Sequence, residues 1–147
     1  MARYLTSVAT AMAPEAAFAY MIDMTRFTEW DPSVTHARRI AGDGVSVGSA
    51  YELTVKAAGT TVMRYDVTEY EAPRRVLLVS RTPFLTSVDE IRVEPAKVGS
   101  VVTYDARLTF NGALRLFDPL LGLAFKRLGD RAATGLRRVL AGTEVIR

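Results

Sequence analysis

Cysteine is absent from the 147 residues of this chain, and that absence removes several kinds of chemistry at once. Disulfide bonds, thiolate metal sites and a cysteine nucleophile are all excluded. The chain also has a single histidine, His36, whereas a catalytic zinc site normally needs three protein ligands, often several of them histidines. We therefore expect neither a metal nor another cofactor. The lack of cysteine is also compatible with a reducing, cytoplasmic location.

Long apolar runs are missing too. A membrane-spanning helix needs roughly 20 consecutive apolar residues, and no segment approaches that length, so integral membrane association is not expected. The N-terminal segment is interrupted by Thr6, Ser7 and Thr10, which favours a first strand over a secretory signal.

A concentrated basic region is the third absence. The net charge of +3 comes from sixteen Arg and three Lys spread along the chain, many of them beside Asp or Glu. A nucleic-acid-binding domain usually shows a basic stripe with interleaved aromatic residues, so no nucleic-acid partner is expected. The composition, 49% hydrophobic and 24% charged, is typical of a globular protein, and the length predicts a single domain over residues 1–147.

The order of elements is legible from turn signals and periodicity. A strand is predicted over residues 3–11, and Pro14 at a first helical position predicts a helix that ends near Ile22. A second short helix runs from about Thr25 to Trp30 and stops before Pro32. From Val34 onward the pattern has period two, which predicts six strands in an antiparallel meander. Asp118 is the predicted N-cap of a last helix that ends near residue 140.

Alternation along the strands separates the two faces of the sheet. In residues 100–110 the even positions from Val102 to Phe110 are apolar or aromatic, so Thr103, Asp105, Arg107 and Thr109 are predicted to face water. The same rule directs Asp89 inward, among apolar residues. The last helix carries an apolar stripe at spacings of three and four residues that should cover the sheet, formed by Leu114, Phe117, Leu121, Phe125, Leu128, Ala132, Leu136 and Val139.

Three glycines interrupt this helix, Gly122, Gly129 and Gly135. Each should cost about 1 kcal/mol relative to alanine. We favour the interpretation that they permit close packing against the sheet. The alternative is that their missing side chains leave volume for a ligand.

The complete order of these features resembles the helix-grip (SRPBCC) superfamily, which includes START-related proteins and the polyketide cyclase/dehydrase group. The resemblance covers nearly the whole chain and rests on Asp23 and Trp30-Asp31-Pro32 by the short helices, Gly48 before Tyr51, Pro73-Arg74-Arg75, Pro95 and Gly99-Ser100 before strands, and the terminal helix. It implies an α+β helix-grip fold, in which a curved antiparallel sheet of about seven strands wraps around the C-terminal helix, with two short helices after the first strand. It also implies a hydrophobic cavity between sheet and helix. It transfers no catalytic residues, because this family does not share one catalytic motif.

Candidate ligand contacts are the side chains that these patterns direct into such a cavity. Phenol groups there could hydrogen-bond a ligand oxygen while their rings line an apolar pocket, although ordinary core tyrosines are an equal alternative. Trp30 is included chiefly as a packing anchor, whose indole N–H should find a partner. The candidates are Trp30, Tyr51, Met63, Tyr65, Arg81, Asp89, Tyr104, Phe110, Phe117, Leu121 and Phe125.

Two of the polar residues are candidate catalytic groups. Asp89 in an apolar cavity would have a raised pKa and could serve as an acid or base; alternatively it lies near a strand end or forms an ion pair with Arg81. His36 shares the parity of Val34 and Ile40 and could face the cavity, but an isolated histidine is more often an incidental surface residue.

Three functions fit these expectations. The favoured one is a non-catalytic carrier or sensor for a hydrophobic small molecule such as a lipid, an isoprenoid or a polyketide-like compound. The second is an aromatase/cyclase-type enzyme, in which Asp89 or His36 moves protons and tyrosines orient carbonyl groups. The third is a protein-interaction module, which would have a filled core and an exposed apolar patch.

Overall fold

The computed structural model describes residues 1–57 and 59–144, without the side chains of residues 57, 118, 121, 143 and 144. Its framework is one antiparallel sheet with the strand order β2-β3-β4-β5-β6-β7-β1-β8. Strands β2 to β7 follow one another as a meander, as the short turn segments predict, and β1 joins the far side of β7. The strands are β1 (Ala2–Thr10), β2 (Val34–Ala41), β3 (Ala50–Ala57), β4 (Gly59–Glu71), β5 (Arg75–Arg81), β6 (Leu85–Pro95), β7 (Ser100–Phe110) and β8 (Thr143–Glu144).

Helices occupy the two places that the sequence predicts. After β1 come α1 (Pro14–Ile22), a 3-10 turn (Met24–Arg26) and α2 (Phe27–Trp30). The segment predicted as a second short helix from about Thr25 to Trp30 is therefore a 3-10 turn followed by α2. Asp23 caps the turn, because its carboxylate accepts a hydrogen bond from the Thr25 N–H at 3.1 Å. This α+β arrangement confirms the predicted helix-grip fold.

The C-terminal helix begins differently from the prediction. A 3-10 segment (Gly112–Phe117) leads directly into α3 (Asp118–Leu140), so Asp118 is already helical and Phe117 occupies the N-cap position. The helix ends at Leu140, and the next residue, Ala141, has a left-handed backbone with φ of 48°. The chain then turns back, and β8 pairs with the end of β1 through Val8 and Ala9. An eighth strand of two residues was not predicted, since such a segment is too short to show an alternating pattern.

The inner face of the sheet follows the predicted alternation. Tyr65 and Tyr104 are 6% and 8% exposed, and Asp89 is 4% exposed at the middle of β6. The core continues onto α1, α2 and the C-terminal half of α3, where Leu136 is fully buried.

The glycines of α3 separate into two kinds. A Cβ at Gly129 would collide with the ring of Tyr4, and one at Gly135 would collide with the backbone carbonyl of Trp30, whereas a Cβ at Gly122 would meet nothing within 4 Å. Close packing therefore explains the second and third glycines. It does not explain Gly122.

The outer face corrects one expectation. Thr103 and Asp105 were predicted to face water, but they are only 3% and 1% exposed. Thr103 is within hydrogen-bond distance of Ser7, at 2.9 Å, and the Asp105 carboxylate is covered by Arg3 and Arg107. Long arginine side chains lie along the sheet and shield the shorter residues beneath them, which strand alternation alone does not reveal.

Candidate functional site

A cavity of about 640 Å³ lies between the inner face of the sheet and α3. This volume is within the range of small-molecule sites. Six strands, α2, the segment after it and α3 contribute to the wall, which is mainly apolar. Its apolar side chains include Phe27, Val34, Leu53, Val55, Met63, Leu85, Ala106, Leu108, Phe110, Phe125, Leu128 and Ala132.

Solvent-exposed lining residues mark the entrance. Lys56 and Thr61 belong to the β3–β4 hairpin, and Ala124, Arg127 and Arg131 belong to α3; all five line the cavity and are exposed. The opening therefore lies between this hairpin and the middle of α3, and the cationic groups of the wall are at this exposed position.

A hydrogen-bonded polar cluster interrupts the apolar wall. It consists of Tyr65, Ser87, Asp89 and Tyr104, which all line the cavity and are buried. The Tyr104 hydroxyl donates to Oδ2 of Asp89 at 2.6 Å, and the Ser87 hydroxyl donates to Oδ1 at 3.0 Å. The Tyr65 hydroxyl in turn donates to Ser87 Oγ at 3.0 Å. Three side chains thus support one carboxylate from strands β4, β6 and β7.

The apolar surroundings determine the acidity of this cluster. Burial raises the pKa of Asp89 from 3.8 to about 6, although the hydrogen bonds from Tyr104 and Ser87 act in the opposite direction. Burial also raises the pKa of Tyr65 and Tyr104 well above that of a free phenol, and the neighbouring Asp89 charge adds to the effect. Asp89 therefore titrates near neutral pH, whereas both phenols remain protonated.

A second carboxyl group, Asp31, lines the same cavity. Its Oδ1 accepts hydrogen bonds from the Ser33 N–H at 3.0 Å and the Ser33 hydroxyl at 2.7 Å. Burial raises the pKa of Asp31, and its negative charge contributes to the raised pKa of Asp89.

More than half of the predicted contacts lie together in this wall. They are Met63, Tyr65, Asp89, Tyr104, Phe110 and Phe125. The structure does not place Asp89 near a strand end or beside Arg81, which were the alternatives for that residue. Arg81 is exposed at the end of β5, outside the lining formed by the described residues.

Other predicted contacts lie elsewhere. Tyr51 points to a separate surface depression that it shares with Asp23 and Arg39. Phe117 is 53% exposed, and none of the residues of the 3-10 segment before α3 is buried. His36 is exposed on β2, with Nδ1 3.3 Å from the Thr35 hydroxyl, so it does not face the cavity. The Leu121 side chain lies outside the described residues.

Trp30 is a packing anchor, as expected, but not a hydrogen-bonded one. It is 1% exposed, and its ring centroid lies 4.6 Å from that of Phe27 and 5.4 Å from that of Tyr104. The expectation that its indole N–H finds a partner is wrong for the described part of the chain, where Nε1 is buried without one.

Ser87 and Asp31 were missed from the sequence. Ser87 has the same parity as Asp89, so alternation could have placed it on the inner face. No periodic signal was available for Asp31, because it lies between α2 and β2. Within residues 1–57 and 59–144, no group of three or more histidine, aspartate or glutamate side chains is placed so that it could hold a metal ion.

The sequence profile of one protein family, described as "Polyketide cyclase / dehydrase and lipid transport", matches residues 1–141. The chain belongs to this family. A comparison with curated protein sequences gives no match. Within the described ranges, no helix combines the length and apolar character needed to cross a bilayer.

Solved structures show the same fold at low sequence identity. A START superfamily protein from Mycobacterium smegmatis is 13% identical, with a TM-score of 0.77 over 95% of this chain and 97% of that one. The di-domain ARO/CYC StfQ from the steffimycin biosynthetic pathway is also 13% identical, with a TM-score of 0.70 over 95% of this chain and 50% of that one. Major latex-like protein 151 from Panax ginseng is 10% identical, with a TM-score of 0.68 over 94% and 96% of the two chains. At these identities the likeness concerns the fold alone.

Proposed function

We propose that this chain binds a hydrophobic small molecule between its sheet and α3 and acts as a carrier or sensor for it. The observation that carries the proposal is the 640 Å³ cavity, with an apolar wall, one buried polar cluster and an entrance from solvent. A ligand would bury its apolar part against the wall and direct a polar group to Asp89 and its partners. The printed description of the family, which includes lipid transport, is consistent with such a role.

A cyclase-type enzyme is the second candidate, and Asp89 supports it. A carboxyl group with a pKa of about 6 can accept or donate a proton near neutral pH. The Tyr104 hydroxyl is held against it at 2.6 Å, and when Asp89 is protonated this pair has a proton to donate to a carbonyl oxygen. The two candidates differ in what happens to the ligand, because a carrier returns it unchanged and a cyclase converts a polyketone into a dehydrated ring.

The interaction module has weaker support. It requires a filled interior, whereas this interior holds a cavity. Apolar side chains are nevertheless exposed around the start of α3, including Leu116 at 84% and Leu120 at 68%.

Filling the cavity provides the test. We expect Leu128→Trp to weaken binding of the neutral fluorescent probe N-phenyl-1-naphthylamine by about tenfold or more, since overfilling a packed site costs about 1–3 kcal/mol. Leu128 lines the cavity on α3. The matched control is Leu123→Trp, which changes a residue of the same helix that is 65% exposed. Fluorescence titration gives the affinities, and circular dichroism checks that both variants are folded.

Equal probe binding by both variants, or no binding by the unmodified protein, would contradict the proposal. Native mass spectrometry of protein from its own host extends the test to the natural ligand. Incubation of any retained compound followed by chromatography then separates the two candidates, because recovery of the unchanged compound supports a carrier and a cyclised product supports an enzyme.

A further inference from the structure

The direction of each hydrogen bond in the polar cluster determines what it can offer a ligand. Ser87 has one hydroxyl proton, which it donates to Asp89, so its oxygen must be the acceptor for Tyr65. The Tyr104 proton is also donated to Asp89. All three hydroxyl protons of the cluster are therefore already used when Asp89 is ionised. What remains available to the cavity is a set of oxygen lone pairs.

Asp31 extends this acceptor surface. The Ser33 hydroxyl proton is donated to Asp31 Oδ1, so Ser33 has no hydroxyl proton left for a ligand either. Both carboxyl groups line the cavity, and the cationic lining residues Lys56, Arg127 and Arg131 are exposed at its entrance. Negative charge and acceptor atoms are thus concentrated inside, and positive charge is restricted to the entrance.

The excess of hydrogen-bond acceptors over donors inside the cavity determines which polar group of a ligand it can accommodate. A ligand carboxylate placed at the cluster would bring acceptors against acceptors and add a third negative charge, leaving buried groups unpaired. A hydroxyl group would satisfy one lone pair. An ammonium group would satisfy up to three and would also compensate the carboxylate charge, and such charge-assisted hydrogen bonds are the stronger kind.

We infer, on the basis of the proposed function, that the cavity takes an apolar ligand whose polar end is a hydrogen-bond donor, an ammonium group before a hydroxyl, and that it excludes ligands ending in a carboxylate. The polar end lies at Asp89, and the apolar part extends along β6 and β7 towards Leu85 and Phe110, which pair across these strands. Four residues of extended strand separate Asp89 from Leu85, about 13 Å. A linear chain of about this length fits the wall.

Three probes of equal chain length test the preference, namely decylamine, decanol and decanoate at pH 8. Displacement of N-phenyl-1-naphthylamine gives their relative affinities. We expect decylamine to bind about tenfold more tightly than decanol, and decanol about tenfold more tightly than decanoate. This ranking in the unmodified protein requires no variant.

The variant Asp89→Asn tests whether the preference for decylamine arises from the polar cluster. It removes the charge and supplies an amide donor, so we expect the advantage of decylamine over decanol to fall by about tenfold. Asp66→Asn is the matched control, because Asp66 lies on β4, is 47% exposed and pairs with Arg64. It removes the same charge without touching the cavity and should leave the ranking unchanged.

Each outcome is decisive. Preferential binding of decanoate, or equal affinities for all three probes, overturns the donor preference while the proposed cavity function stands. A ranking that persists unchanged in folded Asp89→Asn also overturns it, because the preference would then arise elsewhere. If neither the three probes nor the neutral fluorescent probe binds, the proposed function fails and the preference fails with it.

Discussion

Burial of the ionised Asp89 carboxylate lowers the stability of the folded protein at neutral pH. Its pKa is about 6 in the folded protein against 3.8 for a free aspartate, with burial as the main cause. The folded state therefore binds this proton more tightly than the unfolded state does. Its contribution to stability is complete below about pH 4 and is lost as pH rises through about 6. The groups that surround the carboxylate are Ser87, Tyr104 and, through their charges, Asp31 and Asp105.

The variant Asp89→Asn should consequently be more stable than the unmodified protein at pH 8. A difference of about two pKa units corresponds to about 3 kcal/mol, which is the upper limit of the gain. The gain should shrink as the pH is lowered towards 4, where Asp89 of the unmodified protein is protonated. Urea unfolding across this pH range measures the free energies.

The control for Asp89→Asn is the same substitution at an aspartate in an exposed loop. Asp43 is exposed between β2 and β3, so Asp43→Asn should change the free energy of unfolding little at any of these pH values. The prediction would be contradicted if Asp89→Asn were less stable than the unmodified protein at pH 8 and the difference did not change with pH. Burial of the ionised carboxylate would then have no cost in free energy of unfolding.

Alternation along a strand predicts which face of the sheet a side chain lies on, but it does not predict the partners of that side chain. Parity places Asp89, Tyr65 and Tyr104 on one face, and the structure agrees. Their hydrogen bonds depend on the register, in which Asp89 pairs with Ala106 and Tyr104 with Ile91. Register is a property of two strands and their turn, so the sequence of either strand does not reveal that Tyr104 reaches Asp89.

The C-terminal helix shows how one element divides into two parts. Its second half is held close to its neighbours, with Gly129 against Tyr4 and Gly135 against the Trp30 carbonyl, and Arg138 donates a hydrogen bond to the Glu29 carbonyl at 2.8 Å. The helix lines the cavity from Ala124 to Ala132, and Gly122, which precedes this segment, has open space beside it.

Alanine substitutions in this helix should have opposite effects. We expect Gly122→Ala to raise the free energy of unfolding by up to about 1 kcal/mol through helix propensity alone. Gly135→Ala should lower it by at least about 2 kcal/mol, because the new methyl group must displace backbone atoms. Thermal and urea unfolding of the two variants measure the difference.

The two glycines are matched controls for each other, since both lie inside α3 and gain the same methyl group. Two variants that were both stabilised would contradict the packing interpretation at Gly135. The sequence does not distinguish the two glycines, because helix propensity is the same for both and the clash at Gly135 depends on the neighbouring backbone.

Ion pairs connect much of the sheet across its outer face. Arg75 on β5 pairs with Glu90 on β6 at 2.9 Å and with Glu69 on β4 at 3.2 Å. Asp105 on β7 binds Arg3 on β1 at 2.8 Å and Arg107 at 3.1 Å. Arg3, Arg107 and Glu69 are about half exposed, whereas Asp105 is only 1% exposed. Buried members of such networks matter most.

The variant Asp105→Asn should therefore destabilise the whole fold at pH 7, by about 2 kcal/mol. Burial acts to raise the pKa of Asp105, but Arg3 and Arg107 outweigh it and hold the pKa below 3.8. The contribution is present above about pH 4 and is lost as pH falls through that lowered pKa. Urea unfolding should thus show a smaller difference in free energy of unfolding between Asp105→Asn and the unmodified protein at pH 3 than at pH 7.

Asp66→Asn serves as the exposed counterpart, because Asp66 pairs with Arg64 at 3.2 Å with both side chains about half exposed or more. Its effect should stay within about 1 kcal/mol. If both variants cost the same, the burial of Asp105 would have no energetic role.

For the whole molecule, the sequence pattern predicts the order of strands and helices. The cavity inside the fold was expected only because the chain resembles the helix-grip family. The order of strands and helices follows from turn residues such as those around Pro32 and from periodicity, and these signals are local. A cavity is the volume that side chains fail to fill, so it depends on how far α3 stands from the sheet. That distance is fixed by contacts such as Tyr4 with Gly129, which are remote in sequence.

The chain has a single tryptophan, and its ring lies 5.4 Å from the ring of Tyr104, whose hydroxyl is bonded to Asp89. Its indole is therefore an intrinsic optical reporter beside the polar end of the cavity. Emission from this one chromophore can follow occupancy in real time, in unlabelled protein and without knowledge of the compound inside.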